Sequence, residues 1–414
     1  MASAAPPTAV VDAPEEPPSD TSKLKTFIGI LRKFMGVADL AAVRFSLPSQ
    51  LLEPTPNLEY WTYLDAPNAF VAIGTADEPL DRMLEVCRFW FTKDLKYVKG
   101  RPCKPYNSCL GEFFRCNWET EDNAPKINTT ALKGPTSGNV SSASSIRSVK
   151  ADKNASTNSL SLTVPKHGLA TPDGRPVRIS YLTEQTSHHP PVSAYAVSLG
   201  GILRGTLSVS VSEMAYITCP KTKLKTILHY IEAGWLGRST NRVEGIIFRY
   251  DPENDNKTTI KDVPEADIVA RLGGPWREKI EFTLGPKPID SHPPEARFTI
   301  IDLLPLNVAP KVVPPADKQQ EYESLSLWGG VTEAIHAKQF GKATQVKQEL
   351  EERQREKARE REAAGTTWQP VFFQQVTGNG GQPVLTEKGR EVLKRAQQAE
   401  WNIDDVVGAA PAAA

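Results

Sequence analysis

Alternating apolar and polar positions predict short β-strands over much of the chain. Residues 177–182 alternate as a half-buried strand does. Downstream, similar runs separated by turn residues predict an antiparallel meander. Its strands are expected at 193–198, 201–211, 215–218, 225–231, 241–250 and 277–283. A meander of this kind can close into a barrel. The pattern therefore predicts a protein rich in antiparallel strands.

Helical periodicity predicts helices in three regions of the chain. Leu24, Phe27, Ile28 and Leu31 recur at helical spacing, with basic residues largely opposite, and predict an amphipathic helix over 22–36. Such a helix suits ordinary core packing or a covering, interfacial role. Further helices are predicted at 80–98, which is apolar on most faces, and at 320–364, where a second helix is highly charged.

Composition suggests how the chain is divided. Residues 1–21 form an Ala/Pro-rich leader without the basic start and apolar core of a secretory signal, and are expected to be disordered. Residues 119–174 contain nine serines between Ser137 and Ser161 and few large apolar side chains, which predicts a disordered insertion. We expect one domain over 22–375 and a C-terminal extension over 376–414.

Charge and cysteine content narrow the class of protein. The chain of 414 residues has 49 basic and 49 acidic side chains, so any anion site must be local, and nucleic acid is not expected as a partner. No apolar run approaches eighteen residues, so membrane contact would be peripheral. Five cysteines without a Cys-x-x-Cys pair indicate reduced thiols and a cytosolic protein.

The strand at 177–182 leads into the string Glu184-Gln185-Thr186-Ser187-His188-His189-Pro190-Pro191. The proline after His189 disfavours helix, so the string displays two imidazoles where a strand ends. A plain loop would also fit this string. A metal site is disfavoured, because successive extended residues point to opposite faces and no other ligand cluster has suitable spacing nearby.

This string resembles the fingerprint of the oxysterol-binding-protein-related lipid-transfer family, which includes the fungal Osh-type proteins. The resemblance implies that His188 and His189 meet the phosphate of a phosphoinositide headgroup at the mouth of an apolar tunnel. Imidazole suits that task, because it can donate from either nitrogen and becomes cationic near its ordinary pKa of about 6.5.

Two further motifs extend the resemblance. Lys104 to Glu112 reads Lys-Pro-Tyr-Asn-Ser-Cys-Leu-Gly-Glu and resembles a family motif in which Ser108 is usually proline. Residues of these types often serve only in turns. The resemblance implies that Lys104 and Asn107 contact ligand headgroups.

The charged C-terminal helix carries the third motif. Lys347, Glu351 and Arg355 lie on one helical face, which alone would predict a solvated, ion-paired helix. Their spacing, followed by Trp368, resembles the headgroup helix of the family. The resemblance implies that Lys347 and Arg355 neutralise the headgroup phosphate while Glu351 holds both cations in place.

The family also implies an architecture. We expect an α+β fold with a large, mostly antiparallel β-barrel enclosing a lipid tunnel, an N-terminal lid helix and C-terminal helices. The lid would present Leu24, Phe27, Ile28 and Leu31. One departure concerns the segment between Tyr195 and Gly200, where the family has a longer stretch with additional strands. This departure predicts that part of the barrel wall is absent and leaves its closure open.

The expected function is intracellular lipid transfer by a monomer in the cytosol that contacts organelle membranes transiently. It would bind phosphatidylinositol 4-phosphate and a sterol, or phosphatidylserine, alternately in one tunnel, without a cofactor. A non-transporting lipid sensor or scaffold is the alternative. A hydrolase using Ser187 and His188 is disfavoured, because adjacent extended residues do not point at each other and no Gly-x-Ser-x-Gly elbow occurs.

Overall fold

The structure is a computed structural model. It describes residues 49, 52–93, 95–99, 104–121, 126–132, 176–186, 197–200, 208–211, 213–231, 241–374 and 384–408. The leader, the predicted lid helix and the histidine pair lie outside these residues. The expectations for Leu24, Phe27, Ile28, Leu31, His188 and His189 therefore stay predictions.

The largest element is a six-stranded antiparallel sheet in which neighbours along the chain pair in order. Its strands are β7 (Glu213–Cys219), β8 (Leu224–Tyr230), β9 (Arg242–Arg249), β10 (Ile268–Pro275), β11 (Lys279–Leu284) and β12 (Phe298–Asp302). Within the described residues β7 and β12 are its edges, so the sheet does not close there. The α+β class is confirmed, whereas the closed barrel and its tunnel stay predictions.

One face of this sheet is covered by a helix from the N-terminal half. Helices α1 (Asn57–Tyr60), α2 (Pro67–Ile73), α3 (Pro79–Thr92) and α4 (Leu95–Lys99) precede the sheet in the chain. Proline at its N-terminus suits the start of α3. Leu84 and Cys87 of α3 are fully buried against a cluster that includes Leu228 and Ile247 of the sheet. The sheet and α3 thus form the main core.

Shorter strand pairs lie outside the main sheet. They are β1 (Leu52–Pro56) with β2 (Lys104–Tyr106), β3 (Phe113–Thr120) with β4 (Val177–Glu184), and β5 (Val197–Gly200) with β6 (Ser208–Val211). The predicted C-terminal helices are α6 (Ser324–His336) and α7 (Phe340–Ala363). Tyr106 of β2 stacks on Trp328 of α6, with ring centroids 4.8 Å apart, which joins the first strand pair to these helices.

The structure differs from the sequence-based expectation at the predicted insertion. Disorder from residue 119 is wrong for the last residues of β3 and for 126–132, where α5 (Thr129–Leu132) forms. Asp81 accepts hydrogen bonds from the backbone N–H and the hydroxyl of Thr129, and Glu85 accepts one from the backbone N–H of Ile127. These buried carboxylates of α3 hold a polar segment that composition alone marks as unstructured.

The described part of the predicted C-terminal extension packs on β3 and β4. It contains α8 (Glu387–Gln397) and α9 (Asp404–Val407). Arg115 of β3 is completely buried, pairs with Glu323, and donates to the carbonyl oxygens of Lys318 and Trp401. One guanidinium therefore joins three segments of the chain. Val392 and Ile403 share a core with Phe113 and Leu182.

Candidate functional site

The Lys104–Glu112 loop is fixed to α6 by a buried carboxylate. Glu112 is fully buried and accepts hydrogen bonds from the Ser324 hydroxyl at 2.6 Å, the Cys109 backbone N–H at 2.8 Å and the Trp328 indole N–H at 3.1 Å. Burial raises the pKa of Glu112, and these three donors oppose the rise. The bonds from Ser324 and Trp328 hold the loop on the first turns of α6, and the bond from Cys109 lies within the loop itself.

The same loop pairs with the strand that carries the fingerprint. The backbone N–H of Gly111 donates to the Gln185 carbonyl at 3.0 Å, and the Gln185 N–H donates to the Glu112 carbonyl at 2.7 Å. Gly111 has φ +82°, in the region that glycine adopts without strain. A Cβ there would lie 2.6 Å from the Trp368 ring, so glycine is also required by contact. Two of the three motifs therefore meet here.

Glu184, the first residue of the fingerprint, binds the segment that follows Trp368. Its carboxylate accepts hydrogen bonds from the backbone N–H groups of Val371, Phe372 and Phe373 at 2.7, 2.8 and 3.2 Å. Burial raises the pKa of Glu184, and the three backbone donors oppose that rise. Glu184 thus acts as a clamp between β4 and the chain beyond α7.

Lys347, Glu351 and Arg355 lie on one face of α7, but the two cations differ in burial. Lys347 is buried, and its Nζ lies 2.8 Å from Glu351. Arg355 is more than half exposed; it lies 3.6 Å from Glu351 but 2.8 Å from Glu352. Glu351 contacts both cations, although Arg355 makes its shorter contact with the neighbouring Glu352.

Electrostatics place Lys104 beside this face of α7. Partial burial lowers the pKa of Lys104, the positive charge of Lys347 lowers it further, and Glu351 partly offsets both effects. Two ammonium groups therefore lie within electrostatic range of each other, and one of them is paired with the Glu351 carboxylate. Such an arrangement favours an anion, which would relieve the repulsion between the lysines.

The structure thus brings together Lys104, Lys347 and Glu351, and places Arg355 on the exposed continuation of the same face. Asn107 is exposed on the Lys104–Glu112 loop. Sequence reasoning took Glu112 only as a motif match and Glu184 only as the start of the fingerprint, and missed that both are buried clamps. The sequence signal for both residues was a carboxylate next to apolar strand residues, because burying an unpaired charge there would cost folding free energy.

Metal chemistry finds no support in the described part of the chain, which contains no group of three His, Cys, Asp or Glu side chains able to hold an ion. Within the same residues, no helix combines the length and the apolar character that crossing a bilayer requires.

The fold and site define an α+β protein with a cationic site where three distant motifs meet. Residues 26–200 and 331–404 match the family model described as oxysterol-binding protein. The chain also resembles the oxysterol-binding protein-like protein 1 of Schizosaccharomyces pombe, with 34% identity over 92% of each chain. The chain therefore belongs to the oxysterol-binding protein family.

Other comparisons agree on the family and the fold. The human oxysterol-binding protein-related protein 10 is 26% identical over 79% of this chain, which spans only 43% of that longer protein. The crystal structure of the Osh1 ORD domain in complex with cholesterol matches with a TM-score of 0.53 and 15% identity, over 92% of this chain and 99% of that domain. At this identity the match supports the fold alone.

Proposed function

We propose that this protein is a lipid-transfer protein that binds phosphatidylinositol 4-phosphate and a sterol, or phosphatidylserine, alternately and exchanges them between membranes. Family membership supports lipid binding, and the fission yeast relative and the Osh1 domain with cholesterol carry names consistent with a sterol as cargo. The observation that carries the headgroup assignment is the approach of Lys104 to the Lys347–Glu351 pair.

The cationic site suits a phosphomonoester. A phosphate with close to two negative charges at neutral pH offsets the repulsion between Lys104 and Lys347, and Glu351 keeps Lys347 oriented when no lipid is bound. His188 and His189 would add two donors from the fingerprint strand, whose Gln185 is hydrogen-bonded to the Lys104–Glu112 loop. The site would then surround the headgroup from three directions.

The acyl chains set a second physical requirement. About thirty chain carbons leaving a bilayer would expose apolar surface equivalent to more than about 20 kcal/mol, at about 0.8 kcal/mol per methylene. A lipid extracted into water therefore has to be enclosed. We propose that the barrel encloses it and that the helix over 22–36 covers the opening.

Transfer between vesicles tests the proposal. Donor vesicles containing labelled phosphatidylinositol 4-phosphate and acceptor vesicles containing a sterol are mixed with the purified protein, and movement of each lipid is followed with and without the other. Exchange predicts that each lipid accelerates the transport of the other. Binding without any acceleration of transfer would instead support the sensor or scaffold, and release of a lipid hydrolysis product would support an enzyme.

Variants separate the headgroup site from the rest of the protein. Lys347→Ala should reduce phosphoinositide binding at least tenfold, because Lys104 alone cannot neutralise the phosphate. Lys342→Ala, which removes an exposed lysine from the first turn of the same helix, is the matched control and should bind normally. Equal binding by both variants would contradict the headgroup assignment. The His188→Ala/His189→Ala double variant tests the fingerprint in the same assay.

A further inference from the structure

A buried indole N–H lies beside the candidate headgroup site without a partner. The Nε1 atom of Trp368 is inaccessible to solvent, and no residue in the described part of the chain accepts its proton. The great majority of buried polar groups in proteins are hydrogen-bonded, and an unpaired one destabilises the fold. An acceptor is therefore expected at this position when the protein performs its function.

The indole ring is held in place from two directions. Its Cζ2 and Cη2 atoms lie 2.6 Å from the point that a Cβ would occupy on Gly111, and Cε2, the atom bonded to Nε1, lies 3.5 Å from that point. The guanidinium of Arg361 lies 5.9 Å from the ring centroid. The six-membered ring of the indole therefore faces Gly111 of the Lys104–Glu112 loop, and the N–H lies next to that contact, on the atom bonded to Cε2.

The neighbours of this edge belong to the candidate headgroup site. Gly111 is hydrogen-bonded to Gln185 of the fingerprint, and Lys104 begins the same loop beside Lys347. Glu184 also binds the backbone immediately after Trp368. The indole is thus placed at the junction of the three motifs, and its N–H has no acceptor among the residues that the structure describes.

We propose that the Trp368 indole N–H is a neutral donor of the headgroup site and binds a phosphate or hydroxyl oxygen of the ligand. This inference rests on the proposed function. The two lysines supply positive charge, but the oxygens of a phosphate carry several lone pairs, and each lone pair accepts a hydrogen bond from its own direction. A further donor in a fixed position can therefore bind an oxygen that the lysines leave without one. Indole is a donor only, so it selects an oxygen acceptor and adds no charge to a site where two cations already repel.

The first test observes the indole directly. In protein labelled with ¹⁵N at its eight tryptophans, the Trp368 Nε1–H resonance is assigned with the Trp368→Phe variant. Glycerophosphoinositol 4-phosphate, the water-soluble headgroup, is then titrated, with inorganic phosphate and vesicles containing phosphatidylinositol 4-phosphate as separate arms. A shift of this resonance with the headgroup and with the vesicles supports the inference. A shift with inorganic phosphate alone would assign the donor to free phosphate and overturn it.

The second test measures affinity. Trp368→Phe keeps an aromatic ring against Gly111 but removes the N–H, and should weaken headgroup binding about tenfold, as expected for the loss of one hydrogen bond to a charged group. Trp90→Phe is the matched control, because its indole N–H already donates to the Tyr230 hydroxyl at 2.9 Å and so has a partner within the protein. This control should bind the headgroup like the parent protein.

The outcomes distinguish this inference from the proposed function. If the parent protein does not bind the headgroup in any arm, the proposed function fails. If the parent protein binds it, while the Trp368 resonance does not move and Trp368→Phe binds equally well, only this inference fails, and the indole pairs with water. Should Trp368→Phe not fold, the resonance is assigned by elimination with Phe variants of the other tryptophans, and the titration of the parent protein decides.

Discussion

Removing the carboxylate of Glu184 should release the chain beyond α7. In the Glu184→Ala variant the backbone N–H groups of Val371, Phe372 and Phe373 lose their acceptor. Hydrogen bonds to a charged group contribute about 1.5–3 kcal/mol each. Burial of the charge offsets part of that sum, as the raised pKa of Glu184 indicates. We therefore expect local opening of this segment to become easier by about 2–4 kcal/mol.

Amide hydrogen exchange measures this change at the donors themselves. A loss of 2–4 kcal/mol corresponds to about 30- to 1000-fold faster exchange of the Phe372 amide, at about 1.4 kcal/mol per factor of ten. Glu184→Gln keeps one acceptor oxygen but turns an amide group toward the third donor, so it should lose about 1–2 kcal/mol. The Phe372 amide should exchange slowest in the parent, faster in Glu184→Gln and fastest in Glu184→Ala.

A surface carboxylate supplies the control. Glu119→Ala removes an exposed pair with Arg178 on the neighbouring strand and should leave the Phe372 amide unchanged, because such pairs contribute little. If Glu184→Ala exchanged at this amide no faster than Glu119→Ala, the Glu184 carboxylate would not stabilise the 371–373 segment.

Three other changes test the site. Gly111→Ala should destabilise the loop by about 1–3 kcal/mol, because alanine is strained at positive φ and its Cβ meets the Trp368 ring; urea unfolding measures this. Because the pKa of Glu112 is raised, the folded parent binds this proton more readily than the unfolded chain does, so the parent gains stability as the pH falls from 7 toward 4.5. The Glu112→Gln variant cannot bind the proton and should become less stable relative to the parent over this range, which urea unfolding at several pH values measures. Phosphoinositide binding, measured by vesicle flotation, should weaken at alkaline pH before the ordinary pKa of lysine is reached, because the pKa of Lys104 is lowered.

Each of these expectations can fail in a defined way. If Gly111→Ala had the same free energy of unfolding as the parent, the loop and the Trp368 indole would be able to move apart without destabilising the fold. A parallel pH dependence of the parent and the Glu112→Gln variant would mean that Glu112 titrates alike in the folded and unfolded chains. Binding that persists to the ordinary lysine pKa would mean that Lys104 does not contribute to affinity.

Local pattern was sufficient to predict the strands and helices with strong periodicity. Strands β8 and β9 lie within two residues of their expected bounds, and α7 lies within the range 320–364 that was predicted to be helical. Strand β10 was missed because it ends in Gly-Gly-Pro, which resembles a turn, and β12 because it is short and its neighbourhood is rich in proline. The periodic signal is weak in both strands.

The clamps could not be predicted, because their partners lie far away in sequence. Glu112 is buried only because Ser324 and Trp328 supply donors from a helix more than two hundred residues later. In the same way, Glu184 depends on the backbone of 371–373, and backbone donors leave no trace in a sequence pattern. The motifs indicated which residues matter, whereas their roles as supports required the tertiary arrangement.

The buried Arg115 has a consequence for how the protein is made. Its guanidinium is completed by the Trp401 carbonyl, and the neighbouring Asn117 donates its amide to the carbonyl of Ala396. During synthesis, β3 emerges from the ribosome nearly three hundred residues before these acceptors do. The polar side chains inside β3 therefore stay without these acceptors until Ala396 and Trp401 have left the ribosome, so this part of the interior is completed only after the long intervening segment has been made.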